Sequence, residues 1–188
     1  MPDTSRLLTA LGRVFRAFSG GRRSGAASHG ESTDATATPI ATGLLSPGQA
    51  GPDATVEVDP SRLRRVMLAY SPARDGDPDP GEIVWTWVPY EERDGRGKDR
   101  PVAIVAASGD DFLAVQLTSK PRDGDRDYVA LGAGAWDASG RPSWARIDRV
   151  FRVRDGGMRR EAASLDAERY ARLATALAGR YGWATSRG

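Results

Sequence analysis

A chain of 188 residues has room for one ordinary domain plus extensions, and a 39% hydrophobic share beside 22 glycines and 12 prolines points to a folded part diluted by segments that stay open. Its 27 basic and 25 acidic residues nearly cancel, to a net charge of +2, which permits a nucleic-acid partner without requiring one. There is no cysteine and a single histidine, His29. That excludes disulfides, thiolate zinc sites, cysteine nucleophiles, histidine triads and paired-histidine ribonuclease chemistry, and leaves any reaction to Arg, Lys, Asp, Glu, Ser, Thr or Tyr.

The chain begins with an amphipathic pattern over residues 5–18. Leu7, Leu8, Leu11, Val14, Phe15 and Phe18 fall on one arc, and Arg6, Arg13 and Arg16 face away. This basic helix is expected to pack on its own domain, to bind a partner, or to make weak contact with an anionic membrane surface. Arg13 and Arg16 interrupt the apolar stretch, so it does not read as a signal peptide, and no apolar run approaches the roughly 20 residues of a membrane span. The expected location is the cytoplasm. Residues 19–54 are Gly, Ser, Ala, Thr and Pro with few large apolar side chains, the composition of a flexible linker.

Residues 55–80 are expected to lead into the domain as a helix and a loop. Asp59-Pro60-Ser61 has the form of a helix start, and Leu63, Val66, Met67 and Tyr70 form an apolar stripe behind it. From residue 81 the pattern changes to short apolar runs. Residues 83–88 read as a strand ended by Pro89, and the charged stretch 91–99 as a mobile flap. Strands are expected at 101–107, 112–117, 128–131 and 144–153, joined by polar or Gly-rich turns. A helix capped by Ser164 then carries Tyr170, Leu173, Leu177 and Tyr181 as a packing stripe. Short strands in succession without helices between them predict a mainly β fold, a small barrel over 81–183.

Within this stretch four short motifs follow one another: Gly81-Glu82-Ile83-Val84-Trp85, Arg100-Pro101-Val102-Ala103-Ile104-Val105, Val115-Gln116-Leu117-Thr118-Ser119 and Ala145-Arg146-Ile147-Asp148. In order and spacing they resemble the PemK/MazF family of toxin endoribonucleases of type II toxin-antitoxin systems. The resemblance covers roughly residues 81–182. It implies an SH3-like barrel with a C-terminal helix, usually a homodimer, whose groove receives single-stranded RNA or the acidic tail of an antitoxin. It also implies cleavage without metal or cofactor, in which the RNA 2′-hydroxyl attacks the adjacent phosphorus.

On that resemblance Arg100 is the candidate for stabilising charge on the phosphorus. Thr118, supported by Ser119, is the candidate for holding the scissile phosphate. Arg146 is the candidate acid and Asp148 the candidate base or orienter. Arg93, Lys98 and Lys120 are the candidate substrate-binding cations. The residue types suit the chemistry, because a guanidinium offers a planar, permanently charged fork to phosphoryl oxygens and a hydroxyl can fix in-line geometry. Two features depart from the family: the loop before Arg100 holds Glu91 and Glu92 but no histidine, and some eighty residues precede the barrel. They keep open an alternative, an inactive barrel that binds RNA or protein and is tethered through its N-terminal helix. Arg146 and Asp148 lie two apart on a strand and so share a face, which equally suits a plain ion pair.

Overall fold

In the computed structural model the described residues are 45–73 and 75–186. The expected helix at 5–18, His29, and the linker up to residue 44 lie outside them. Ten strands and one long helix follow in order: β1 (Val56–Val58), β2 (Met67–Leu68), β3 (Glu82–Pro89), β4 (Gly97–Ser108), β5 (Asp111–Thr118), β6 (Tyr128–Gly132), β7 (Ser143–Arg146), β8 (Val150–Val153), β9 (Arg159–Ser164), α1 (Ala167–Tyr181) and β10 (Ala184–Thr185). The main sheet is antiparallel and runs β1-β8-β5-β4-β3-β9, with β7 paired to both β5 and β6. β5 thus holds β8 near its start, through Phe112, Leu113 and Ala114, and β7 at its end, through Leu117 and Thr118. One strand serving two partners along one edge is what curls the sheet into the SH3-like small barrel.

The curl separates two cores, and β4 and β5 contribute to both by alternation. Ala103 and Val105 of β4 and Leu113, Val115 and Leu117 of β5 face the larger core, which is closed by Tyr170, Leu173 and Leu177 of α1. Val102, Ile104 and Ala114 face the smaller core with Val84, Val88, Phe151, Val153 and Met158. Ala106 joins the larger core out of turn, because the β4–β5 register slips between Ile104 and Ala106. Pro101 has no N–H to donate, and the β4–β5 ladder reaches only to Val102↔Gln116, one place short of it.

Several expectations are corrected. The helix over 59–70 is one 3-10 turn, Pro60–Arg62. Asp59 does cap it, accepting from Ser61 N, but the chain then extends into β2 beside β10. The left-handed φ of Arg65 breaks a helix there, and Val66 and Leu68 are buried at strand spacing. The flap at 91–99 is a hairpin. β3 and β4 stay paired out to Pro89↔Gly97, Tyr90 N donates to Arg96 O, and Arg93 takes the left-handed conformation the turn needs. The single strand at 144–153 is two, because β7 and β8 meet different parts of β5 and the chain turns at 147–149 between them. Helix α1 is capped by Asp166, which accepts from Arg169 N, since Ser164 is already the end of β9.

The last ten residues of the expected linker, 45–54, pack as turns. Trp87 N donates to Pro47 O, and Thr55 N to Gly48 O. Gly48 has φ +76, and a Cβ there would sit 2.3 Å from Thr86 Oγ1 and 2.5 Å from Thr55 Oγ1, so only glycine fits. Low hydrophobicity suggested openness, but the segment is held by backbone hydrogen bonds and close approach, which composition does not register.

Candidate functional site

Arg100 is not at the end of a strand but inside β4, opposite Thr86 of β3. Thr86 is fully buried. Its Oγ1 lies 2.5 Å from Thr55 Oγ1 and donates to Gly157 O at 2.6 Å, which anchors the sheet beneath the arginine. Extending the β4–β5 register by two places sets Arg100 across from Thr118. Arg100 is half-buried, and among the described residues its guanidinium makes no ion pair or hydrogen bond. It lines two adjoining depressions.

The first lies on the β5-end side, with Lys98, Thr118, Ser119 and Lys120 beside Trp85 and Trp136. Thr118 Oγ1 accepts from Lys120 N at 3.2 Å, so its lone pair is used by the turn and its O–H remains to donate. Lys98 and Lys120 are exposed and have no ion pair among the described residues. The acids on this rim are engaged elsewhere: Asp99 with Arg159 at 3.0 Å, Asp137 with Arg141 at 2.9 Å, Glu161 with Arg159 at 3.3 Å.

The second depression is lined by Glu91, Glu92, Arg96, Gln116, Arg146 and Arg149 with Arg100. Arg146 forms a two-pronged pair with Asp148, Nε to Oδ1 at 2.7 Å and Nη2 to Oδ2 at 2.8 Å, and its Nη1 donates to Glu91. The Tyr128 ring lies under it at 5.9 Å. Hydrogen bonding to Asp148 raises the Arg146 pKa further above its ordinary value, with Glu91 adding to it. Burial works against ionisation of Asp148, but the Arg146 hydrogen bonds and charge outweigh it and hold the carboxyl below its usual range. A guanidinium held more firmly protonated is a worse acid, and a carboxylate held more firmly ionised is a worse base. The expected acid and base thus stand together in one closed ion pair.

Asp148 itself lines neither depression, and neither does Arg93, which is exposed and reaches Glu57 at 3.6 Å. Arg93 sits on the hairpin loop, outside both depressions. Of the expected residues, the structure brings Lys98, Arg100, Thr118, Ser119 and Lys120 together on one side and Arg100 with Arg146 on the other.

Sequence reasoning missed Gln116, Arg149 and Glu57. Arg149 is buried, its Nη2 donating to Glu57 Oε2 at 2.7 Å and to Pro89 O at 3.0 Å, with the Phe151 ring 5.0 Å away. The hydrogen bond from Arg149 lowers the Glu57 pKa against the opposing effect of burial. Gln116 had a readable signal, as the one polar side chain in the run Phe112-Leu113-Ala114-Val115-Gln116-Leu117. Glu57 had none, because its role depends on β1 pairing with β8, with Glu57 opposite Phe151. Among the described residues no group of three His, Cys, Asp or Glu side chains is arranged to hold a metal.

The family model described as PemK-like, MazF-like toxin of type II toxin-antitoxin system matches residues 79–179, just over half of the chain. The chain belongs to this family. Among solved structures it is similar to MazE-MazF from Deinococcus radiodurans, at 18% identity over 56% of this chain and 96% of that one, with a TM-score of 0.42. Toxin MazF-mt6 from Mycobacterium tuberculosis is similar at 18% identity over 54% and 97%, also at 0.42. MazF from Deinococcus radiodurans is similar at 20% identity over 56% and 96%, at the same score. No curated protein matches the chain. The family match begins at residue 79, so β1 and the turns at 45–54 are additions to the PemK/MazF core that reach its site through Thr55 and Glu57.

Proposed function

We propose that this chain is the toxin of a type II toxin-antitoxin system and acts as an endoribonuclease on single-stranded RNA. The observation that carries the reading is Arg100: an unpaired guanidinium in mid-strand, with the Thr118 hydroxyl beside it, on the motifs of the PemK/MazF family.

In the reaction the 2′-oxygen forms a bond to phosphorus and the bond to the 5′-oxygen breaks, leaving a cyclic phosphate and a free 5′-hydroxyl. Charge grows on the non-bridging oxygens of the five-coordinate phosphorus. Arg100 meets that charge, and removing such a preorganised donor costs about 100- to 1,000-fold in rate. The Thr118 O–H donates to the same phosphate and keeps the 2′-oxygen in line. Arg146, already neutralised by Asp148 and Glu91, shapes the wall and moves no proton. Glu92 lines the second depression without an ion pair among the described residues, and in this reading it takes the 2′ proton. The 5′-oxygen takes its proton from water. Lys98 and Lys120 hold the flanking phosphates.

The partners that follow are single-stranded RNA, an antitoxin with an acidic segment that competes for the same cations, and a second copy of the chain. The site of action is the cytoplasm. The test is cleavage of a mixed single-stranded RNA pool by the purified protein in EDTA, with Arg100→Ala in parallel. Wild type is expected to cut and the variant to fail. If both are inert but bind RNA, the barrel is a binding module and the nuclease reading falls.

A further inference from the structure

The second depression sits at the open end of the smaller core, and three strands end there in the same way. On β4, Val102 and Ile104 face that core and Arg100 is the next residue on the same face. On β5, Ala114 faces it and Gln116 is next; on β8, Phe151 and Val153 face it and Arg149 is next, just before the strand. Each apolar face thus terminates in a polar side chain that lines the depression. Two of the three are almost sealed from solvent, Gln116 at 8% exposure and Arg149 at 7%.

Both are left with unmet capacity. Gln116 makes no side-chain hydrogen bond among the described residues, and Arg149 Nε is buried without a partner. For Arg149 Nε an unmade hydrogen bond is unfavourable, since buried polar groups in native proteins are paired, whereas the Gln116 amide stays open to the depression with no side-chain partner among the described residues. A third polar group, Arg100, carries an unopposed charge a strand away.

The chemistry of the unmet groups selects the ligand. A phosphate only accepts hydrogen bonds, and would leave the Gln116 carbonyl oxygen idle. A carboxamide presents one donor and one acceptor side by side, the complement of a nucleobase edge. Arg149 lines the same depression, its guanidinium fixed in direction by Glu57 and Pro89 O. Tyr90, on the rim of the same depression, offers a ring face.

We infer that Gln116 and Arg149 form a base-reading subsite: one nucleobase of the RNA enters the second depression and is recognised there, while its neighbouring phosphate rests on Arg100. This rests on the RNA reading given above, and makes Gln116 a specificity residue rather than a catalytic one. Glu57 is then a positioning residue, acting through Arg149.

The experiment measures binding and cutting separately. Short single-stranded oligoribonucleotides carrying each of the four bases at one central position are titrated against wild type, Gln116→Met and Gln116→Glu by fluorescence anisotropy, and cut sites in an RNA pool are mapped by sequencing. Met keeps the volume without hydrogen bonds, and Glu keeps the shape with acceptors only. Thermal melting confirms that each variant is folded.

Wild type is expected to prefer one base by about 10-fold or more, Gln116→Met to lose that preference, and Gln116→Glu to shift it toward bases presenting an exocyclic amine. The cut-site profile should change in the same sense. Unchanged discrimination in both folded variants, or no binding of any oligoribonucleotide by wild type, overturns the subsite. Base-selective binding that depends on Gln116 with no cleavage by wild type would overturn the nuclease reading and leave the subsite standing.

Discussion

The two sides of Arg100 carry nearly the same residue types and offer opposite electrostatics. Toward the end of β5, Lys98 and Lys120 are unpaired and the acids on the rim are taken by Arg159 and Arg141. Toward β7, Arg146 is closed by two carboxylates and Arg149 by a third. Counting cations ranks the two sides equal, with four lysines and arginines lining each; counting unpaired ones separates them. A guanidinium in a forked ion pair has already exchanged its hydration for a carboxylate and has little left for an incoming phosphate. The side with the free cations has charge left over for an incoming anion, while on the other side the arginines are held in place by their carboxylates.

The largest expected effect separates the two arginines directly. Arg100→Ala should lower RNA cleavage by about 100- to 1,000-fold, and Arg100→Lys should restore only part of it, because an ammonium keeps the charge without the fork. Next comes the anchor beneath Arg100. Gly48→Ala forces a Cβ into the Thr55 and Thr86 hydroxyls at a positive φ. It should cost about 1–3 kcal/mol, read as a lowered midpoint in urea.

Asp148→Asn tests the rigid side. Asp148 has its folded pKa held below the ordinary value, so its contribution is present above the unfolded pKa, near 4, and is lost as pH falls through the folded value. The variant should lose about 1–2 kcal/mol at neutral pH, scaled down for partial exposure, and its deficit against wild type should shrink below about pH 4. A deficit that does not depend on pH would mean that the charge of the pair is not what stabilises it.

The smallest effects concern the free cations. Lys98→Gln and Lys120→Gln should each reduce the slope of log affinity for single-stranded RNA against log salt by about 0.7, the value for one phosphate contact. Arg141→Gln, on the same rim but paired with Asp137, should leave the slope unchanged. If all three shift it equally, pairing does not decide which cations meet the RNA.

What the sequence made legible follows the range of the interactions. The family motifs sit on strands whose partners lie close by in the chain, and β3, β4 and β5 were readable from apolar runs and the turns between them. The grouping of Arg100 with Thr118 came from the family motifs, and the β4–β5 register carries it into adjacent strands. Helix α1 was readable because its stripe is local, though its N-cap is Asp166 rather than the expected Ser164. β1, β2 and β10 were not, being strands of two or three residues that exist only because a distant edge accepts them. Arg146 and Asp148 were recognisable as neighbours on one face, but their proton roles depended on Glu91 and on burial, which spacing does not encode.

Glu57 and Arg149 stand 92 positions apart, and Thr86 reaches 71 positions forward to Gly157. At a synthesis rate of about 5–20 residues per second, roughly 5–20 s pass between the making of the first partner and the making of the second. For the last part of that interval, the 31 residues from Thr118 to Arg149, the nascent chain owns Arg100 and Thr118 but not the wall that Arg149 completes. The site is therefore complete only once the chain has been made past Arg149, with β8, β9 and α1 able to close over it.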